Sequence, residues 1–442
     1  MSRFNPKWLY PGMHVKRWLV LLFVGLTLGA LGAALALRDV YVQGFRWPAS
    51  MYYLTLQFLP RSVRALLVGL LGIGAVGTAV WRLNRSLLAA VLPDVTSSRD
   101  LAEAVYAHRL QQPGPRVVAL GGGHGLSTLL SGLKNHTERI TAIVNVMDDG
   151  GSSGRLRRDF GVLPPGDIRR CLAALAATDE ALMAQLFEYR FDTGEGLEGH
   201  TFGNLFITAL DDIVGSFDQA IQAASEVLAV RGRVLPPTLE PVTLAAQLHA
   251  PEESEAVIVE GESQIAKSGR RIERVFLRPA DPPAYPAAVQ AVRDADMIIL
   301  GPGSLYTSIL PVLLVADLRR AIQESAALVV YVCNVATEPG ETDHFGVQAH
   351  IEALVAHIGP GVVDLALANN NQRPAHNFAP EWQGRTTIVP LDLRGVGAAG
   401  VPVVAANVIN TANPLRHDPH KLAAALMRLL GERPGSNGKP RR

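Results

Sequence analysis

A cluster of glycines follows a short apolar segment in RVVALGGGHGLSTLL, residues 116–130. Glycine permits a tight turn and a close approach of backbone N–H groups to a ligand, and the helical pattern that follows favours an anion such as phosphate. Leu126 breaks the G-x-G-x-x-G fingerprint, and the Gly-Lys-Ser/Thr of the P-loop is absent. A turn that is rich in glycine only for steric reasons is the alternative. The glycines concerned are Gly121, Gly122, Gly123 and Gly125.

A second polar stretch, NVMDDGGSSGRLRRDFG, follows the next apolar segment. Its paired carboxylates, Asp148 and Asp149, could hold a divalent cation such as Mg²⁺ or the two hydroxyls of a ribose. The residues after them offer flexible backbone, hydroxyl donors and a guanidinium that is complementary to phosphate. These residues are Gly150, Ser152, Ser153 and Arg155.

The segment PPGDIRR places Asp167 at the start of a predicted helix, with Arg169 in its first turn. An Asp in this position could bind a ligand, but it could also simply cap the helix, because Asp is a preferred N-cap residue. The loop GHTFGNL offers His200 and Asn204 in a layout suited to reading a base or a sugar. A histidine needs a positioned partner for catalysis, so a satisfied polar His200 is the alternative.

The segment MIILGPGSLYTS repeats the arrangement of strand, glycine turn and helix, through Gly301, Gly303 and Ser304. Two such turns that face one cleft would hold two phosphates, or a diphosphate from both sides. The sequence therefore predicts a phosphate-binding cleft built by two glycine turns.

Five apolar segments must position these loops, and each is typical of a buried strand: 116–120, 140–147, 297–301, 328–334 and 362–369. Helix-like stretches separate most of them, which predicts an α/β, Rossmann-like fold with a mostly parallel sheet. Short strands with Pro and Gly at about 230–280 predict a small antiparallel insert. The end of the chain, 416–442, predicts a helix and a disordered tail.

Two apolar runs without charge, at about 18–37 and 65–81, precede this domain. Each can cross a bilayer, so residues 1–92 predict a two-helix transmembrane hairpin, followed by a linker at 93–115. A cleaved signal peptide is the alternative for the first run, which is long for that role. Lys and Arg flank the hairpin on its outer sides, so we expect a multi-pass membrane protein with both ends and the main domain in the cytoplasm.

The remaining composition excludes some functions. Residues 1–116 hold 13 Lys and Arg against 4 Asp and Glu, whereas the rest of the chain is mildly acidic and lacks the basic face that nucleic acid requires. Cys171 and Cys333 are far apart and outside any metal-type spacing, so we expect both to be reduced core residues.

Five motifs together resemble the gluconeogenesis factor family, also called YvcK-like, within the CofD-like 2-phospho-L-lactate transferase superfamily. They are ALGGGHGLSTLLSGLK, DDGGSSGRLRRDFGVLPPGDIRR, GHTFGNL, GPGSLYTSILPVLLV and VCNVATEPGETDHF. The resemblance covers roughly 116–415 and implies a CofD-like nucleotide-binding domain. It implies that the ligand is a nucleotide-diphosphate sugar, such as a UDP-sugar, and that the protein influences cell shape and wall synthesis during gluconeogenic growth. We also expect a homo-oligomer.

The resemblance places the two glycine turns, the aspartates and Asn334 of the VCN motif in the family's ligand cleft. His124 departs from the family, whose usual GGGTG reads GGGHG here. The transferase relatives move a phospholactyl group from a guanosine diphosphate donor to a deazaflavin with Mg²⁺, and such a reaction is the second hypothesis. A nicotinamide-dependent oxidoreductase is the third, against which the broken fingerprint argues.

Overall fold

The computed structural model describes residues 114–176, 181–249, 256–374, 378–392 and 399–432, and ten isolated residues before them: 27, 30, 34, 58–60, 63, 74, 77 and 78. None of the helices in these parts of the chain is both long and apolar enough to cross a membrane. The predicted spans at 18–37 and 65–81 lie almost entirely outside the described residues, as does the tail after residue 432. The chain divides into two units, Met1–Gln112 and Pro113–Arg442, and the second contains the fold described here.

Ten strands form two sheets in the described part of this unit. Their bounds are β1 Val117–Gly121, β2 Ile140–Val144, β3 Arg233–Leu235, β4 Thr243–His249, β5 Val257–Glu260, β6 Arg271–Arg278, β7 Met297–Leu300, β8 Leu328–Val332, β9 Leu365–Asn369 and β10 Val403–Ala406. The larger sheet has seven parallel strands in the order β10-β9-β8-β7-β1-β2-β3. The smaller sheet is antiparallel, in the order β5-β4-β6.

The helices connect and cover these strands. Their bounds are α1 Gly123–Leu133, α2 Gly151–Phe160, α3 Gly166–Leu175, α4 Ala181–Glu188, α5 Phe202–Val214, α6 Phe217–Val227, α7 Glu262–Lys267, α8 Pro286–Asp294, α9 Leu310–Leu313, α10 Ala316–Glu324, α11 Val347–Ile358 and α12 Pro419–Gly431. A π-helical turn at Leu305–Ile309 leads into α9, and a short 3-10 turn spans Pro380–Trp382.

The parallel sheet separates two hydrophobic cores because successive side chains of a strand point to opposite faces. In β1, Val118 and Leu120 belong to one core, whereas Val117 and Ala119 belong to the other. The first core also contains side chains of α8, α10, α11 and the insert, and the second contains those of α1, α3 and α12. The arrangement is a three-layer α/β fold, which confirms the predicted class.

The five predicted strands are all present, as β1, β2, β7, β8 and β9. The insert begins later than the predicted residue 230, because β3 pairs in parallel with β2 and therefore belongs to the main sheet. The antiparallel sheet itself starts at Thr243. The sequence predicted a strand at β3 but assigned it to the insert, whereas the edge strand β10 was not predicted, since four residues are too few for a clear pattern.

Candidate functional site

The candidate site lies where the chain reverses its direction of travel across the parallel sheet. From β1 the chain adds β2 and β3 on one side, and later adds β7 and the following strands on the other side. Ligands of open α/β sheets bind in the crevice at the carboxyl ends of the strands at such a switch point. Both predicted glycine turns, after β1 and after β7, lie at this crevice.

The two glycine turns contact each other through backbone atoms. A Cβ at Gly125 would lie 2.5 Å from the Pro302 carbonyl oxygen, and one at Gly303 would lie 3.2 Å from the Gly122 oxygen. Gly303 also has a φ of +156° and Gly123 a φ of +64°, which side chains disfavour. Steric need therefore accounts for some of the glycines, and the same close contact brings the two turns to one cleft.

A cavity of about 720 Å³ opens at this cleft. Most of the predicted site residues line it, namely Gly122, Gly123, His124, Gly125, Asp148, Gly150, Ser152, Ser153, Asp167, Arg169, Asn204, Gly303, Ser304 and Asn334. Five others do not reach its wall, namely Gly121, Asp149, Arg155, His200 and Gly301. The predicted residues thus gather at one cavity, although some of their neighbours in the sequence do not line it.

Asp167 occupies the start of α1, where the sequence predicted a phosphate. Its Oδ2 accepts a hydrogen bond from the Gly123 N–H at 2.7 Å, and its Oδ1 accepts one from Arg170 at 2.8 Å. The carboxylate makes no capping bond within its own helix α3, so it is not a simple N-cap of that helix. Burial raises the pKa of Asp167, while Arg170 and the Gly123 N–H act in the opposite direction.

The mouth of the cavity is cationic. Arg190, Arg385 and Arg416 are exposed side chains on its lining, and half-buried Arg170 lines it as well. Burial, followed by the charges of Arg170 and Arg416, lowers the pKa of His124 to about 4. The imidazole is therefore neutral near pH 7, and the surrounding charge favours an anionic ligand.

The lining is also rich in carboxyl groups, of which the sequence indicated only Asp148 and Asp167. Burial raises the pKa of Glu341 to about 8, with a further contribution from Glu338, whose own pKa is also raised by burial. Burial likewise raises the pKa of Glu262 well above its usual value, and Asp148 adds to the effect. These groups hold protons more tightly than carboxyls in water do, and they can serve as hydrogen-bond donors or acceptors.

The three glutamates come from segments that the predicted chemistry did not include. Glu338 and Glu341 lie in the VCNVATEPGETDHF motif after β8, which was a usable signal. Glu262 begins α7 in the antiparallel insert, and no local pattern marks it. Thr307 donates a hydrogen bond to Glu341 Oε1 at 2.9 Å, and Glu341 Oε2 is buried without a partner.

The Asp148–Asp149 pair is not arranged as a joint metal site. Asp148 lines the cavity and accepts a hydrogen bond from the Gly150 N–H at 2.8 Å. Asp149 instead accepts a hydrogen bond from the Ser263 N–H at 2.8 Å, at the start of α7. Within the described part of the chain, no three His, Cys, Asp or Glu side chains form a group that could hold a metal ion. We therefore assign no chemical step to Mg²⁺.

His200, Asn204 and Arg169 form a buried network behind Ser152. Ser152 Oγ lies 2.9 Å from His200 Nδ1 and 3.0 Å from Asn204 Nδ2, and Arg169 Nε lies 3.0 Å from Asn204 Oδ1. Arg169 also forms an ion pair with Glu188. Arg155, in contrast, donates to the Glu198 carbonyl at 2.7 Å outside the cavity.

Comparison with known proteins identifies the family. Residues 117–409 match the family described as 2-phospho-L-lactate transferase CofD. A Nostoc sp. protein is 44% identical over 96% of this chain and 92% of its own length. The gluconeogenesis factor of Bacillus subtilis is 44% identical over 72% of this chain and 99% of its own. A crystal structure of a Bacillus halodurans protein covers 71% of this chain and 99% of its own, with 42% identity and a TM-score of 0.67. The chain therefore belongs to the gluconeogenesis factor family of CofD-like proteins.

Proposed function

We propose that this protein is a membrane-anchored gluconeogenesis factor whose main domain binds a nucleotide-diphosphate sugar, with a UDP-sugar as the ligand class. In this proposal the domain lies in the cytoplasm, acts as a homo-oligomer, and is required for cell shape and wall morphogenesis during growth on gluconeogenic carbon sources. The name of the relatives supports the link to gluconeogenic growth, and the two apolar runs before residue 92 support the anchor.

The presence of both guanidinium and carboxyl groups on the lining of the cavity is the observation that carries the ligand proposal. Arg170, Arg385 and Arg416 suit the charge of a diphosphate, since guanidinium groups bind phosphate oxygens strongly. The carboxyl groups on the same lining suit the hydroxyls of a sugar, which donate hydrogen bonds. A nucleotide-diphosphate sugar carries both kinds of group on one molecule.

The size of the cavity and one aromatic side chain on its lining fit the nucleoside part of the proposed ligand. A cavity of about 720 Å³ falls within the usual range for small-molecule sites. Trp382 lies on its lining, three residues before Arg385 in the sequence, and an indole ring offers a flat face on which a base can stack. Such stacking tolerates different bases, so the contact with Trp382 does not by itself select uridine.

A transferase of the phospholactate type is the second candidate. The carboxyl groups of the lining favour it, because Asp148 and Glu262 could accept or release a proton during transfer. The two functions differ in ligand: the first requires a uridine nucleotide sugar, and the second a guanosine diphosphate donor with a deazaflavin. Mass spectrometry of ligand that co-purifies with the protein would separate them and would also detect NAD(H), which the third hypothesis requires.

Calorimetry on Arg416→Ala tests the proposed binding directly. We expect UDP-glucose to bind about tenfold more weakly to this variant than to the original chain, since a lost charged hydrogen bond is worth about 1.5 kcal/mol or more. Arg428→Ala is the matched control, because Arg428 is exposed on α12 and does not line the cavity. Equal weakening by both variants, or no binding of UDP-glucose to the original chain, would contradict the proposal.

A further inference from the structure

The buried hydrogen-bond network behind Ser152 has a direction that can be read from atom types. Arg169 can only donate, so the Asn204 atom that faces its Nε at 3.0 Å is the carbonyl oxygen. The amide nitrogen of Asn204 therefore faces Ser152 Oγ, at 3.0 Å, and donates to it. All three side chains are buried, with exposed fractions of 3% for Arg169 and Asn204 and 6% for Ser152.

It remains to determine which group accepts the hydrogen bond that the Ser152 hydroxyl donates. His200 Nδ1 lies 2.9 Å from Ser152 Oγ, and either atom can be the donor, depending on the tautomer of His200. Burial and then Arg155 lower the pKa of His200, so its ring is neutral near pH 7. A neutral imidazole with its proton on Nε2 offers Nδ1 as an acceptor, and Ser152 then donates to it.

We propose that Ser152 donates its proton to His200 and presents its remaining lone pair to the cavity, where it accepts a hydrogen bond from a hydroxyl group of the bound sugar. The inference rests on the proposed function, which it deepens by assigning one wall of the cavity to the sugar. A serine hydroxyl has one proton and two acceptor sites, and Asn204 and His200 occupy one acceptor site and the proton. Ser152 therefore cannot donate to a phosphate oxygen.

The next residue, Ser153, also donates its hydroxyl proton to a protein group, which supports this assignment. Ser153 Oγ accepts a hydrogen bond from the Gly166 N–H at 3.1 Å, and its hydroxyl group bonds to the carboxylate of Asp148. This hydrogen bond lowers the pKa of Asp148 and thus stabilises the ionised carboxylate, which can only accept, so Ser153 is the donor. The hydroxyl groups of Ser152 and Ser153 thus both donate to groups of the protein. The phosphates of the ligand are therefore bound by the arginines at the mouth of the cavity.

A first experiment determines, without any ligand, whether Ser152 or His200 is the donor in the hydrogen bond between them. In the full chain with ¹⁵N-labelled histidine, near neutral pH, we expect the His200 signal to show an unprotonated Nδ1 and a protonated Nε2. His200→Asn identifies the signal, and Ser152→Ala should shift its Nδ1 resonance. A protonated Nδ1 on His200 would overturn the proposal whether or not UDP-sugars bind.

A second experiment combines a variant with altered ligands. UDP-glucose is compared with four analogues in which a single glucose hydroxyl is replaced by fluorine, which cannot donate. We expect one analogue to bind the original chain about three- to tenfold more weakly than UDP-glucose, and Ser152→Ala to weaken UDP-glucose binding by a similar factor. In Ser152→Ala that analogue should lose no further affinity. Independent, multiplicative losses for all four analogues would overturn the proposal, whereas absence of UDP-glucose binding to the original chain would contradict the proposed function.

His200→Asn is the matched variant for this second experiment. The Asn side-chain oxygen can take the place of Nδ1 and accept the Ser152 proton, so the variant should keep the discrimination between UDP-glucose and the analogue. A loss of discrimination in His200→Asn as large as that in Ser152→Ala would show that the histidine supplies more than an acceptor, and it would contradict the proposed role of His200.

Discussion

His124 lies near positively charged side chains whose effect a bound diphosphate would offset. Arg170 and Arg416 both help to hold the pKa of this imidazole at about 4. An anion that binds beside these arginines offsets their charge and therefore raises the pKa of His124. His124 can therefore report the charge of a bound ligand.

The sign of the resulting pH effect follows from linkage. Because the protonated imidazole is more stable in the complex than in the free protein, affinity must increase as the pH falls toward the pKa of His124 in the complex. We expect UDP-glucose to bind about three- to tenfold more tightly at pH 5 than at pH 7.5, which corresponds to a pKa rise of about 1.5 to 2 units. His124→Thr should show no such increase. Calorimetry at the two pH values on both proteins decides the point, and parallel behaviour would refute it.

Single residues also show the limit of sequence reasoning at this scale. Asp148 and Asp149 are neighbours, yet only Asp148 lines the cavity, and Asp149 accepts a hydrogen bond from the first turn of α7. Adjacent side chains of an extended segment point to opposite sides, and the sequence does not say which of the two faces the ligand. The position of Asp149 depends on a contact with Ser263, 114 residues away.

At the scale of elements, the packing of α1 against the turn after β7 fixes the shape of the cleft. Gly125 allows this packing, because a Cβ there would meet three backbone atoms of residues Pro302 and Gly303 at 2.5–2.8 Å. Backbone atoms cannot rotate away as a side chain can. A methyl group at this position must therefore push α1 away from the turn.

Gly125→Ala should lower both stability and affinity. We expect a loss of about 1–3 kcal/mol in the free energy of unfolding, the usual cost of overpacking, and a melting temperature several degrees lower. UDP-glucose binding should weaken as well, because the two turns separate. Gly431→Ala is the matched control in α12, where an added Cβ meets nothing within 4 Å. A Gly125→Ala variant as stable as this control would contradict the packing argument.

The elements explain which parts of the site a sequence can reveal. The turns after β1 and β7 were found because apolar strand, glycines and helix follow one another directly in the chain. Glu262 was not found, since it reaches the cavity only because the insert docks against the main sheet. The backbone contact between Gly340 and Ala266, where an added Cβ would lie 2.3 Å from the Ala266 oxygen, belongs to the same docking. Local patterns carry no information about such long-range contacts.

At the scale of the whole molecule, the buried carboxyls make stability depend on pH. Burial raises the pKa values of Asp148, Asp167, Glu262, Glu338 and Glu341. Each of these groups binds its proton more tightly in the folded protein than in the unfolded chain. Their contribution to stability is therefore complete below the ordinary carboxyl pKa, and it is lost as the pH rises through the raised value in the folded protein.

Glu341 offers the clearest test, because its pKa of about 8 sets the window from about pH 4.5 to pH 8. Glu341→Gln keeps an oxygen that can accept from Thr307 and removes the ionisation. Between pH 5 and pH 9 the original chain should lose more stability than this variant, by about 2 kcal/mol or more, since each unit of pKa shift corresponds to about 1.4 kcal/mol. Glu352→Gln, on an exposed position of α11, is the control and should follow the original chain. Thermal unfolding across this range measures the difference, and a Glu341→Gln curve parallel to that of the original chain would show that the carboxyl is ionised in the folded protein without cost.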